Sequence, residues 1–330
     1  MLLIDNNDIK DPTVNLALEE YCVRHLDMSN DYLLFYINKP SIIIGKHQNT
    51  IEEISSEFVK SKGIYVVRRI SGGGAVYHDE GNLNFSFMTR HSQENIHNFK
   101  FFTGPVIKTL NDLGLNAELN GRNDITVNDR KISGNAQFTD TKSMFSHGTL
   151  LFDSNLEDVG NALNVKKDKI ESKGIKSVQS RIANIKEFIH DQISIEEFKQ
   201  QLIHNIFKEY RSVPMYNLTG EQWDKIFQLS ENKYKTWEWN YGRSPEFNIQ
   251  KINRFHFGQI DSKIFVKDGV IKSIKLYGDF LGHGELSDIE NKLTDIKYEE
   301  EHIKEALKSV NLFHYFGDIG LNEFTNFLLI

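Results

Sequence analysis

Apolar positions recur at helical spacing between Asn15 and Leu26, where Leu16, Ala17, Leu18, Tyr21, Cys22 and Leu26 form one stripe, and the pattern predicts an amphipathic helix. Two short β-prone runs follow, Leu33–Ile37 and Ile42–Ile44, parted by the turn residues Asn38-Lys39-Pro40. Ile51–Lys62 reads as a single helix stopped by Gly63. Ile64–Ile70 is a predicted strand, Ser71–Gly74 a glycine-rich turn, and Leu83–Met88 alternates Leu, Phe and Phe inward with Asn and Ser outward. A helix is expected over Phe99–Leu113 with Gly114 as its stop. Asp124–Val127 and Lys131–Phe138 read as strands folded on Asn128-Asp129, and Ser146–Phe152 as another.

Beyond Asp153 the pattern turns helical. Ser194 with Glu197, and Thr219 with Gln222, have the spacing of capping boxes that bind the first free N–H groups of a helix. Ile195, Phe198, Leu202, Ile206 and Tyr210 are the expected buried stripe of the first of these helices. The segment from Trp237 to Pro245 reads as the end of one unit. Alternating strands are then expected over Ile249–Phe257, Lys263–Lys267 and Val270–Tyr277, the last two joined at Asp268-Gly269, followed by helices near Asp288–Asp295 and Glu299–Val310. The expected division is therefore a larger unit over residues 1–246 and a smaller α+β unit over 247–330.

Composition narrows the class. With 39% hydrophobic and 26% charged residues the 330-residue chain is ordinary for a soluble protein. A net charge of −7 argues against a nucleic-acid partner. The sole cysteine, Cys22, allows no intrachain disulfide and no cysteine-based metal site, and lies in the first apolar stripe as a small buried residue. Met1–Asp11 shows no basic region followed by an apolar stretch, and no apolar run approaches the roughly 20 residues of a spanning helix. A cytoplasmic protein without a membrane contact is expected.

Two segments carry candidate chemistry. In Arg68-Arg69-Ile70-Ser71-Gly72-Gly73-Gly74-Ala75-Val76-Tyr77-His78-Asp79, successive glycines let backbone N–H groups reach a ligand and form an anion-binding concavity, flanked by two guanidinium forks that match phosphate or carboxylate. In Gly121-Arg122-Asn123-Asp124 and Lys131-Ile132-Ser133-Gly134-Asn135-Ala136-Gln137, Asn123 and Asp124 are oxygen ligands suited to Mg²⁺ beside substrate phosphates. Lys131 opens a strand whose small residues Ser133, Gly134 and Ala136 leave space above the sheet. Gly45-Lys46-His47-Gln48-Asn49 and Ser146-His147-Gly148-Thr149-Leu150 are polar groups attached to apolar strands, where a pocket wall could lie. The chain has no P-loop, dinucleotide, His-Glu-x-x-His or G-x-S-x-G signature.

Taken together, Arg68–Phe87, the Gly121–Asp124 and Lys131–Gln137 motifs, His147–Leu151 and Gly45-x-x-Gln48-Asn49 closely resemble the signatures of the lipoate–protein ligase A family, in order and spacing. The resemblance implies an α+β fold: a mixed β-sheet catalytic domain of the biotin/lipoate-ligase type flanked by helices, with a small C-terminal α+β accessory domain. It implies that Arg69, Gly74, Ala75, Val76, Tyr77 and Lys131 contact ATP. It also implies that Gly45, Arg69, Gly73, Gly74, His78, Lys131 and His147 line the lipoate site, with Lys131 as the catalytic group. The implied reaction uses ATP and Mg²⁺ to make lipoyl-AMP. The acyl group then passes to a lysine on a lipoyl domain of a 2-oxoacid dehydrogenase E2 subunit or on the glycine-cleavage H-type carrier protein. A monomer is expected. The competing readings are an ATP-independent octanoyl or lipoyl transferase, which would need a thiolate nucleophile, and a lipoate-binding protein without turnover.

Overall fold

Strand β2 (Tyr32–Ile37) is buried along its whole length and serves two cores at once. Leu33, Phe35 and Ile37 enter one apolar cluster, while Tyr32, Leu34 and Tyr36 enter another, the alternation that period two imposes on a strand covered on both faces. The computed structural model describes residues 1–163, 181–189, 192–242, 248–267 and 269–329. Its fold is a mixed α+β one with a large sheet, flanking helices and a C-terminal α+β part.

In the eight-stranded sheet, β2 is hydrogen-bonded to β1 (Leu2–Ile4) on one side and β6 (Asn82–Arg90) on the other. The order continues outward through β10 (Ser143–Leu151), β9 (Arg130–Thr139), β8 (Asp124–Val127) and β7 (Ala117–Asn120). Strand β11 (Met215–Tyr216) pairs in parallel with β1 at the opposite edge. Helices Phe99–Asp112 and Ile195–Ile206 cover one face. Helices Pro12–His25 and Gly220–Leu229 cover the other. Asp11 caps the Pro12–His25 helix by accepting from the Thr13 N–H, and Pro12 sits where its missing N–H costs nothing.

A second sheet places β3 (Ser41–Ile44) between β4 (Tyr65–Arg68) and β5 (Val76–His78). Its apolar face packs Ile42, Ile44, Ile64 and Tyr77 against Val159 and Ala162. A third sheet, β12 (Ile249–Phe255), β13 (Gly258–Lys267) and β14 (Val270–Gly278), is antiparallel and packs on helices Leu286–Leu293, Glu300–Leu307 and Leu321–Leu329. No helix among the described residues is long and apolar enough to cross a membrane.

Several sequence expectations require correction. The helix expected over Ile51–Lys62 is two helices, Thr50–Glu53 and Ser56–Lys62, because Ile54 forms a bridge with Leu163 and the Ser55 N–H bonds the Ala162 carbonyl. Along β6, Asn84 and Ser86 are as buried as the Phe residues, since helix Pro12–His25 covers their face. Tyr210 lies beyond the end of helix Ile195–Ile206 and is exposed. Phe257 falls in the β12–β13 turn, and two further helices, Leu312–Phe316 and Leu321–Leu329, follow those expected from the sequence. Pro245 and Asp268 lie outside the described residues.

Gly148 shows how tightly the sheet faces are filled. A Cβ there would stand 2.1 Å from Asn135 Oδ1 and 2.6 Å from Phe85 Cζ. Gly148→Ala is expected to destabilise the protein by about 1–3 kcal/mol through overpacking. Urea denaturation measures this, and an unchanged midpoint would contradict the packing described.

Candidate active site

Arg68 ends β4, and Arg69 and the glycine-rich turn follow it directly. Both guanidinium groups are buried. Desolvating such a cation is costly unless its N–H groups meet acceptors, and here the acceptors are mostly backbone. Arg68 donates to the carbonyls of Gly45, Lys46, Gln48, Trp239 and Asn240 and to Thr50 Oγ1. It therefore ties the Gly45–Thr50 loop to the Trp237–Asn240 helix, and its fork is engaged by protein. This corrects the expectation that two guanidinium groups face the ligand.

Arg69 faces the other way and holds the glycine-rich turn from within. Its Nη2 donates to the carbonyls of Gly72 and Gly74 at 2.7 and 2.8 Å, Nη1 to Ile43 at 3.0 Å, and Nε to Ser71 Oγ at 3.0 Å. Four of the five N–H groups are thereby engaged by described residues. Burial pulls its pKa down to about 10, against the opposing pull of Glu19, and it stays charged at neutral pH. Gly45 and Gly73 touch across the base of the turn, where a Cβ on Gly45 would lie 1.9 Å from the Gly73 carbonyl oxygen. Gly73 also has φ +91°, which a side chain would strain.

Across β2, β6, β10 and β9, residues Leu34, Ser86, His147 and Ala136 stand opposite one another and share the face beneath helix Pro12–His25. A Cβ on Gly73 would lie 3.8 Å from that of Ala136 and 3.0 Å from Arg69 Nη2. Lys131 reaches the same face by a register shift. Between β8 and β9, Ile125 pairs with Ser133 but Thr126 pairs with Lys131, so one extra residue sits in β9. A bulge of this kind inverts the alternation and puts Lys131 over Gly134, where a Cβ would meet Nζ at 3.0 Å. Lys131 Nζ is 2.8 Å from Asp124 Oδ1, both part-exposed. The small residues that accompany Lys131 are thus Gly134 and Ala136. Ser133, also expected there, is buried and accepts from Asn135 Nδ2.

His147 is held by buried Glu19, whose two carboxylate oxygens lie 2.9 and 3.0 Å from Nδ1, and its Nε2 is 2.8 Å from Ser71 Oγ. His78 accepts from Asn38 Nδ2 at Nδ1, 3.0 Å away. Burial first, then Arg69 and His147, drives His78 down to about 3, so the ring is neutral and its proton sits on Nε2, which has no partner among the described residues. The Tyr77 ring packs in the small-sheet core and its hydroxyl is pushed up by burial. Ala75 and Val76 pack partly against apolar neighbours, leaving Gly74–Tyr77 to offer backbone. Asn123 donates through its amide to the Asn135 carbonyl beside Asp124. Sequence reasoning missed Glu19 and Ser71 as site residues; a carboxylate inside an otherwise apolar helical stripe is the signal that marks Glu19.

The C-terminal part closes over this face. The Gly73 N–H donates to the Phe280 carbonyl at 3.1 Å, Leu281 packs with Phe99 and Ala136, and Arg122 donates to the carbonyls of Phe257 and Asp279. The Gly73 N–H, expected to face an anion, is therefore occupied by backbone. Phe280 stacks on His47 at 5.1 Å and His283 on His97 at 5.3 Å. Cys22 is fully buried, and burial followed by Glu19 drives its thiol far above the ordinary range. It cannot supply the thiolate that the transferase reading needs.

Residues 11–207 match the family described as the lipoyl protein ligase A/B catalytic domain, and residues 244–328 match the bacterial lipoate protein ligase C-terminus. A Bacillus subtilis lipoate-protein ligase is 56% identical over 330 residues, covering 99% of this chain and 100% of that protein. A P. falciparum protein crystallised in complex with lipoate superposes with a TM-score of 0.80 at 27% identity, covering 100% of this chain and 99% of that one. A lipoate-protein ligase A crystallised bound with ATP gives 0.62 at 28% identity, covering 73% and 97%.

The interface histidines generate a pH prediction. Burial, then His97, His314, Lys46 and His91, hold His283 down at about 3, and burial and Arg122 lower His97. A base held below its ordinary 6.5 contributes stability that is complete above that value and is lost as pH falls from there toward 3. The melting temperature is expected to decline between pH 7 and pH 5, and less steeply in His283→Gln. Equal slopes in the two proteins would rule this out.

Proposed function

The chain belongs to the lipoate–protein ligase family, and we propose that Arg69 with its glycine-rich turn, Lys131 and the His78–His147 wall form the site where lipoate meets ATP. The enzyme is an ATP-dependent ligase that activates lipoate as lipoyl-AMP and transfers the lipoyl group to a lysine of another protein. The observation that carries the site assignment is contiguity. Arg69 abuts Gly73, Gly73 abuts Ala136 and Leu281, and Lys131 covers Gly134 two residues along the same strand face, a contiguity that supports setting the ammonium and the guanidinium against one ligand.

The chemistry follows from what a carboxylate lacks, since its leaving group would be oxide. Attack of the lipoate carboxylate on the α-phosphate of ATP expels pyrophosphate and leaves a mixed anhydride whose next leaving group is AMP. Negative charge grows on the α-phosphoryl oxygens, and Lys131 Nζ, oriented by Asp124, is the cation placed to offset it. The remaining Arg69 N–H and the unpartnered His78 Nε2–H are the donors that orient the acyl carboxylate and its anhydride. The acceptor amine then attacks the acyl carbon and AMP leaves. Lys131, held as an ammonium, binds the intermediate rather than attacking it.

Asp124 and Asn123 fit Mg²⁺ in the way a phosphate-bound ion is usually held, by one carboxylate and substrate oxygens. Lys131 Nζ stands 2.8 Å from Asp124 Oδ1. Magnesium held there would neutralise phosphate charge. The reading assigns residues 1–246 to the catalytic domain and 247–330 to an accessory domain, and places a monomer in the cytoplasm. Its acceptors are lipoyl domains of 2-oxoacid dehydrogenase E2 subunits or the glycine-cleavage H-type carrier protein.

Lys131→Ala is expected to leave the melting temperature within a few degrees of wild type while reducing lipoate-dependent ATP–pyrophosphate exchange by about 100-fold or more. Exchange at near-normal rate in a folded Lys131→Ala protein would remove Lys131 from the chemistry.

A further inference from the structure

Glu19 lies on helix Pro12–His25 with 1% of its surface exposed, one turn from the buried Asn15, Leu16, Cys22 and Val23. An ionised carboxylate inside a protein is costly unless it is paired and hydrogen-bonded. It pairs with His147 Nδ1 through both oxygens, and a carboxylate only accepts, so Nδ1 carries the proton. Nε2 faces the Ser71 hydroxyl at 2.8 Å, and an Nε2 without a proton accepts from it. Ser71 Oγ in turn accepts from Arg69 Nε. In that arrangement Arg69 donates to Ser71, Ser71 to His147, and His147 to Glu19. The donors all point one way, from a buried cation to a buried anion, an arrangement in which each bond polarises the next.

We propose that Glu19 is a positioning residue of the adenylation site, which acts through His147 and Ser71 to orient the Arg69 guanidinium and so sets the shape of the glycine-rich turn. The inference rests on the assignment of Arg69 and Lys131 made above. The edge of the guanidinium fixed by Ser71 decides where Nη1 and Nη2 point, and those atoms hold the carbonyls of Ile43, Gly72 and Gly74. Losing Glu19 frees the His147 tautomer. A proton on Nε2 would compete with Arg69 for Ser71 Oγ, the hydroxyl would turn away, and the fork would lose its third anchor. The Arg69 charge would also lose the buried counter-charge at the far end of the chain. A misplacement of reacting groups by about 1 Å costs on the order of 100-fold in rate.

The test measures lipoate-dependent ATP–pyrophosphate exchange by the full chain, as wild type, Glu19→Gln, Glu19→Asp, Glu19→Ala and Lys131→Ala, together with ¹⁵N NMR of the histidine rings. The expected result is a fall in kcat of about 100-fold in Glu19→Ala and about tenfold in Glu19→Gln, with KM for ATP changed less than about threefold. Glu19→Asp, which restores the charge on a shorter arm, is expected to recover about tenfold over Ala. His147 should carry its proton on Nδ1 in the wild type and lose that form in Glu19→Ala. Should the Ala variant fail to fold, the equally sized Gln variant supplies the comparison. Gln and Asp variants within about twofold of wild-type kcat, or a wild-type His147 protonated on Nε2, overturn the proposal. A silent Lys131→Ala beside fully active Glu19 variants removes the role of Glu19 alone, whereas an active Lys131→Ala removes the site assignment beneath it.

Discussion

Two adjacent guanidinium groups lie inside the protein at the end of β4, and much of the surrounding backbone is arranged to meet them. A buried cation without acceptors is untenable. The carbonyls of Gly45, Lys46, Gln48 and Asn240 converge on Arg68, and those of Ile43, Gly72 and Gly74 on Arg69. Loops that would otherwise be free to move are drawn to fixed positions by charge. Small residues then become necessary where those loops meet, as Gly45 does against the Gly73 carbonyl.

The same constraint links the fold to the chemistry. The carbonyls of Gly72 and Gly74 turn inward toward Arg69, and the Gly73 N–H turns to the Phe280 carbonyl. The turn rests on Ala136 of β9, and Lys131 lies close by because a bulge brings it to that face. The C-terminal part completes the enclosure from outside, with the Phe280 carbonyl on the Gly73 N–H and Leu281 against Ala136. A ligand that takes the Gly73 N–H must displace that carbonyl, so the two cannot use the donor together.

Much of the architecture was legible in the sequence because its causes are local. Alternation in Leu33–Ile37, the left-handed pair Asn128-Asp129 with φ of 50° and 61°, and the two capping boxes act over a few residues, and each lies where the pattern expects it. The break at Ile54–Ser55 was hidden because a strand bridge to Leu163, more than a hundred positions away, overrides a continuous helical pattern. Asn84 and Ser86 read as solvent-facing because alternation reports polarity and cannot report that a helix covers the polar face.

The site divides along the same line. Residue types and spacing in the Arg68–Asp79 and Lys131–Gln137 segments determined that a glycine-rich turn beside arginines and a lysine on a strand exist, since those properties belong to the residues themselves. Only the tertiary structure decided which arginine serves the turn, because Arg68 and Arg69 differ in the carbonyls that surround them and not in chemistry. It also decided that Lys131 shares a face with Gly134 and not with Ser133, through one inserted residue in the ladder. Glu19, more than a hundred residues from His147, could become its partner only once a helix was laid across the sheet. Long-range burial makes such a pair, and no local pattern encodes it.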